Sequence, residues 1–148
     1  MRPVFALVIA AFSAFPLGAQ TAVPEALQPP VEEAGGADLT QFLWKNRLVI
    51  IFADSPGDPR FIEQMALIEA RAGDLADRDV VVLTDTTPGA DPDKGSALRE
   101  KFRPRGFMLM LIGKDGNMYL RKPRPWDVRE ISRSIDKMPI RREELRNR

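Results

Sequence analysis

The chain has 148 residues, 44% hydrophobic and 29% charged, with 22 basic against 21 acidic side chains. That is enough apolar material for one domain with tails, and it excludes a wholly disordered chain. It contains no cysteine and no histidine, which excludes disulfides, thiol redox couples, thiol peroxidases, iron–sulfur clusters, His-dependent triads and ordinary zinc sites.

Arg2, the apolar run from Val4 to Phe15 and the small-residue site Leu17-Gly18-Ala19 read as a secretory signal peptide over residues 1–19. The alternative is an uncleaved membrane anchor, against which the run falls short of a bilayer span, and nothing later is long and apolar enough to cross a membrane. The expectation is an exported chain, periplasmic or secreted. With 21 residues of each sign left after cleavage, bulk attraction to nucleic acid is not expected. Residues 20–37, with Pro24, Pro29, Pro30, Glu32, Glu33, Gly35 and Gly36, read as a flexible linker. The folded domain is expected over residues 38–148.

Asp38, with Gln41 as a capping-box partner, predicts a short helix ending near Asn46. Leu48–Ala53 has the length and β-branched content of a strand buried on both faces. A turn follows, Asp54-Ser55-Pro56-Gly57, and then a helix capped by Asp58 with Pro59 in its first turn. Phe61, Met65, Ile68 and Ala72 form its apolar stripe, and Gly73 is the expected C-cap. Val80–Leu83 is a second buried strand, making a parallel βαβ unit with the first. Residues 84–95 read as a loop, after which Ser96 caps a short helix carrying Leu98 and Phe102. Phe107–Ile112 is a third strand, and Lys114-Asp115-Gly116-Asn117 turns it into an antiparallel partner, Met118–Leu120. Asp127 and Glu130 form a capping box for a last helix with Val128, Ile131, Ile135 and Met138 inward; Pro139 ends it, leaving a charged tail. The order predicts an α/β chain with a thioredoxin-like fold, a single domain around a central mixed sheet.

The runs WKNRLVIIFADSPGDPRFIEQ from Trp44, LADRDVVVL from Leu75, LIGKDGNMYLR from Leu111 and above all IDKMPIRREELR from Ile135 resemble the DUDES domain family. That family has bacterial secreted members and relatives in animal sushi-repeat and extracellular-matrix proteins. The resemblance spans roughly Asp38 to Arg148 and marks Arg47, Met138, Pro139, Arg141 and Arg142 as motif residues. It implies a thioredoxin-like or peroxiredoxin-like fold and an extracytoplasmic location, and it carries no activity with it. Against a thioredoxin, Pro56 and Pro59 fall where the two CxxC cysteines would stand, and Met108 where the cis-proline would.

Strand end meeting helix start is where α/β proteins usually keep their chemistry. Asp54, Ser55, Asp58, Arg60 and Gln64 occupy that place and are candidate ligand-binding residues; the structural alternative makes Asp58 a cap and the others turn formers or solvated groups. Asp85, Asp91 and Asp93 do not follow an EF-hand spacing. Met108, Met110 and Met118 read as core filling rather than a soft-metal site. No metal and no cofactor is expected. Residues 20–98 hold 6 basic and 14 acidic side chains, while 99–148 hold 15 and 7. Within the basic part, Arg121, Lys122, Arg124 and Trp126 form a candidate surface for an anionic partner, lipid headgroup or cell-wall polymer, unless the two halves neutralise each other. The expected function is recognition of a protein or anionic ligand without catalysis. The alternatives are carboxylate chemistry at Asp54 and a structural role at the envelope or membrane surface.

Overall fold

The computed structural model describes residues 29–34, 38–88 and 96–148. The expected signal peptide, most of the expected linker, and Asp91 and Asp93 lie outside them. Five strands form one mixed sheet in the order β1-β3-β2-β4-β5, where β1 is Val31–Glu33, β2 Arg47–Phe52, β3 Val80–Asp85, β4 Met108–Ile112 and β5 Met118–Lys122. β1, β3 and β2 run parallel, and β4 and β5 are antiparallel additions. The chain therefore has the α/β thioredoxin-like fold that its element order predicts.

Alternate residues of β2 point to two different cores, which is why this run lacks polar alternation. Val49 and Ile51 face one layer with Val82, Leu109 and Leu111. That layer is covered by α1 (Pro59–Ala70), α2 (Ala72–Ala76) and α4 (Val128–Asp136), which contribute Ile68, Leu75, Val128, Ile131 and Ile135. Leu48, Ile50 and Phe52 face the other layer, under α3 (Ala97–Phe102) and a 3-10 turn, Leu39–Phe42. Burying each such side chain stabilises the fold by about 1.5–3 kcal/mol, and β2 and its neighbour β4 each bury apolar side chains into both layers.

Four local expectations need correction. The end of the expected linker is a strand: Val31 pairs with Val82 at the edge of β3, Val82 N–H donates to Pro30 O at 2.8 Å, and Ala34 N–H donates to Thr84 O at 2.7 Å. An edge tolerates the neighbouring prolines because their missing N–H is not needed there. The element after Asp38 is a 3-10 turn rather than a helix to Asn46, with Asp38 accepting from Thr40 N–H. Gly73 is not a cap: α1 ends at Arg71, and Gly73 lies inside α2, which carries Ala72 and Leu75 into the core. Finally, Pro139 starts a helix instead of only ending one. It is the first residue of α5, Pro139–Arg146, where its missing N–H costs nothing.

Candidate functional site

The carboxyl ends of β2 and β3 share one end of the sheet with the start of β4 and the end of β5, since Phe52 pairs with both Asp85 and Met108, and Leu109 with Lys122. The turn after β2 lies here, with Asp54 and Ser55 exposed. Asp58 caps α1, accepting from Arg60 N–H at 2.9 Å, and the same carboxylate takes Arg60 Nε at 3.1 Å and Nη2 at 2.8 Å. The hydrogen bonds from Arg60 hold Asp58 below the usual carboxylate range. The Arg60 guanidinium also lies 5.7 Å from the Phe107 ring centroid. Gly106 closes the group at φ +62, and a Cβ placed on it would lie 3.6 Å from Asp54 Oδ2 and 3.7 Å from Arg60 Nη2. Asp54, Arg60 and the Gly106 backbone therefore meet.

Gln64 does not join them. It is fully buried, donating Nε2 to Trp126 O at 3.1 Å and accepting from Trp126 N–H at 2.7 Å. Its amide is spent on pinning the segment before α4 to α1. Asp85 is likewise occupied: it accepts from Ser96 Oγ and from Arg99 Nε, the latter at 2.9 Å, while Arg99 Nη2 donates to Ala53 O at 2.7 Å. Arg99 thus ties α3 to the base of the turn. Met108 and Met110 fill the second core, whereas Met118 is exposed on β5.

The basic surface is built around Trp126. Lys122 Nζ lies 4.2 Å and the Arg124 guanidinium 5.4 Å from its ring centroid. Ring quadrupoles attract cations without neutralising them, so both charges stay available to an anion. Arg121 reaches to the other side and donates to Arg103 O at 3.3 Å.

The motif residues gather at the opposite end. Arg47, fully buried at the start of β2, donates Nη2 to both carboxylate oxygens of Glu144 at 3.1 Å and Nη1 to Arg78 O at 2.9 Å. Lys114 Nζ adds a contact to Glu144 at 2.7 Å and to Asp79 at 2.8 Å, and Arg141 Nη1 reaches Glu144 at 3.2 Å. Arg141 Nε is 3.6 Å from Asp136, close enough for an ion pair but too long for a hydrogen bond, and Arg78 grips that carboxylate at 2.8 Å. Burial pushes the Glu144 carboxyl up, but Lys114, Arg47 and Arg141 together outweigh it and hold it at about 2. Met138 is buried beneath this cluster's helix, and Arg142 faces solvent. Glu144 was the residue that sequence reasoning missed, because its partner lies 97 residues away.

Residues 38–144 match the family described as "Domain of unknown function (DUF4174)". The chain belongs to this family. The DUF4174 domain is similar to coiled-coil domain-containing protein 80 of Danio rerio, 29% identical over 133 residues, which covers 72% of this chain and 15% of that protein. The chain spans only that small share of its relative's length. Among solved structures it is similar to the reduced 2-Cys peroxiredoxin of Plasmodium vivax, with a TM-score of 0.54, 16% identity, and 74% and 85% of the two chains covered. It is also similar to chloroplastic thioredoxin z, with a TM-score of 0.55, 20% identity, and 74% and 96% covered. At such identities the likeness establishes the fold. Among the described residues no helix is long and apolar enough to cross a membrane.

Proposed function

We propose that the chain is an exported, non-redox thioredoxin-like domain that binds a protein or an anionic component of the cell envelope at the Trp126 corner. The observation that carries this reading is the placement of Lys122 and Arg124 on the Trp126 ring, 4.2 and 5.4 Å from its centroid, at the same end as the Asp54 turn. Cations laid on an aromatic face keep their charge and lose little freedom when an anion arrives. Thiol exchange has no nucleophile in a chain without cysteine, and prolines 56 and 59 stand at the CxxC positions. Export is supported by the charged and then apolar pattern of residues 2–15 and by the DUDES resemblance of the folded part.

The test is photo-crosslinking in the cells that make the protein, from a reactive residue placed at position 124 or, as a control, at 142. The reading expects position 124 to capture an acidic protein or envelope polymer in the extracytoplasmic fraction, and position 142 to capture little. Equal capture from both positions, or a chain confined to the cytoplasm, would overturn it. Disulfide reduction or peroxide turnover above a buffer control would also contradict it.

A further inference from the structure

Among the described residues the sheet ends in β1 and β5, two edge strands whose side chains differ in sign. β1 is three residues long and carries Glu32 and Glu33, with all three side chains exposed. β5 is five residues long, with Met118 49% and Tyr119 42% exposed and Arg121 exposed as well. One side of β5 pairs with β4, and among the described residues no strand lies on the other. An antiparallel edge strand leaves N–H and C=O groups facing outward; the register shift at Tyr119 interrupts the row, and the regular part runs over Leu120, Arg121 and Lys122. Leu120 packs toward the layer of α4, and Lys122, two residues on, shares that face. Arg121 projects to the opposite face, toward Arg103. Cations therefore stand on both faces of the edge near Lys122, while Met118 and Tyr119 stand at its other end.

We infer that this edge adds an extended acidic peptide segment as a sixth strand. Carboxylates of the segment lie against Arg121, Lys122 and Arg124, and its apolar side chains lie against Met118 and Tyr119. The inference rests on the anionic-partner reading above and narrows that partner to a protein. Charge selects the occupant. Antiparallel pairing of β5 with β5 of a second copy about Leu120 would set Lys122 against Met118 and Arg121 against Tyr119, so no carboxylate would meet either cation, and a register centred on Arg121 or Lys122 would oppose like charges. A neutral strand would desolvate these cations with no compensating partner. Basic residues at an edge are the usual barrier to indiscriminate pairing, and an acidic strand turns that barrier into attraction. β1 of another copy has the right sign but only three residues.

The experiment titrates the full chain with a labelled peptide of alternating Glu and Val, reading affinity by fluorescence anisotropy and amide exchange at residues 118–122. Three comparison probes are the same peptide N-methylated at alternate residues, its Lys-for-Glu counterpart, and polyphosphate. The expected result is binding of the Glu–Val peptide with slowed exchange at β5. N-methylation should weaken it at least about tenfold, because the outward backbone groups lose their partners. The Lys peptide should not bind, and the R121E/K122E variant should lose the Glu–Val peptide. Equal affinity for the N-methylated and parent peptides would overturn strand addition while leaving anion binding standing. Polyphosphate binding without peptide binding would do the same, and no binding of any anion would remove both readings. Self-association that protects β5 in the absence of peptide would assign the edge to a second copy and overturn the inference. Should the variant fail to fold, the N-methylated and Lys peptides decide the matter on the native chain.

Discussion

Two groups of basic side chains, the Arg47 cluster and the Trp126 corner, lie at opposite ends of the sheet and are used in opposite ways. At the Glu144 end, Arg47, Lys114 and Arg141 converge on one carboxylate from three parts of the chain, and Arg47 is wholly buried. At the Trp126 end, Lys122 and Arg124 lie on an aromatic ring, and Arg124 is exposed. The same residue types thus close the fold in one group and present charge to solvent in the other. A buried cation must keep its counter-ion, because desolvating an unpaired charge costs several kcal/mol. An exposed cation on an aromatic face is under no such constraint and can exchange water for a ligand.

Removing the shared carboxylate should break the comparison most forcefully. Glu144→Gln leaves Arg47 buried opposite a neutral amide, and a loss of about 3–5 kcal/mol is expected from urea unfolding. A loss below about 0.5 kcal/mol would place these charges in the same class as surface pairs. Acid should act through the same group with a somewhat smaller effect. Glu144 titrates at about 2 in the fold against an ordinary 4.5, so its contribution is complete above pH 4.5 and is lost as pH falls from there toward 2. The depressed Asp136 carboxyl, held by Arg78, acts in the same direction. From Glu144 alone the loss should approach on the order of 3 kcal/mol, read as a falling unfolding midpoint across that window.

Gln64→Ala sharpens the comparison at the Trp126 corner, since it frees the backbone N–H and C=O of Trp126. It should cost about 1–3 kcal/mol and loosen the ring that carries Lys122 and Arg124. A lower Trp126 fluorescence anisotropy, read in a Trp44→Phe background, together with a lower unfolding midpoint, would report both effects. The smallest effect belongs to the exposed turn: Asp54→Asn and Ser55→Ala should each change stability by no more than about 0.5 kcal/mol in the same denaturation assay.

β2, β3, β4, β5 and α4 were legible because their signals are local, whereas β1 was hidden in a Pro- and Glu-rich stretch read as linker. Leu48–Phe52 is apolar on both faces, and Val128, Ile131 and Ile135 repeat at helical spacing behind a capping Asp127. α5 was not legible as a helix. Its sequence, PIRREELR, has almost no apolar stripe, and ion pairs to Arg47 and Lys114 hold it in place. Hydrophobic periodicity cannot report such contacts, although the family motif did mark Arg47 and Arg141. At the Trp126 corner the sequence drew Arg121, Lys122, Arg124 and Trp126 together through proximity along the chain, and the structure adds the cation–ring geometry. Gln64 stood among the ligand-binding candidates because of its place on α1, yet its partners are backbone atoms 62 residues away. Such contacts leave no trace in a composition or a spacing.

The division between a structural cluster and a proposed recognition corner is tested most directly by partner capture with the K122E/R124E double variant. In-cell crosslinking from position 121 should lose its acidic adduct, while the unfolding free energy of the purified variant stays within about 0.5 kcal/mol of that of the unsubstituted chain. Undiminished capture by a folded variant would contradict the account.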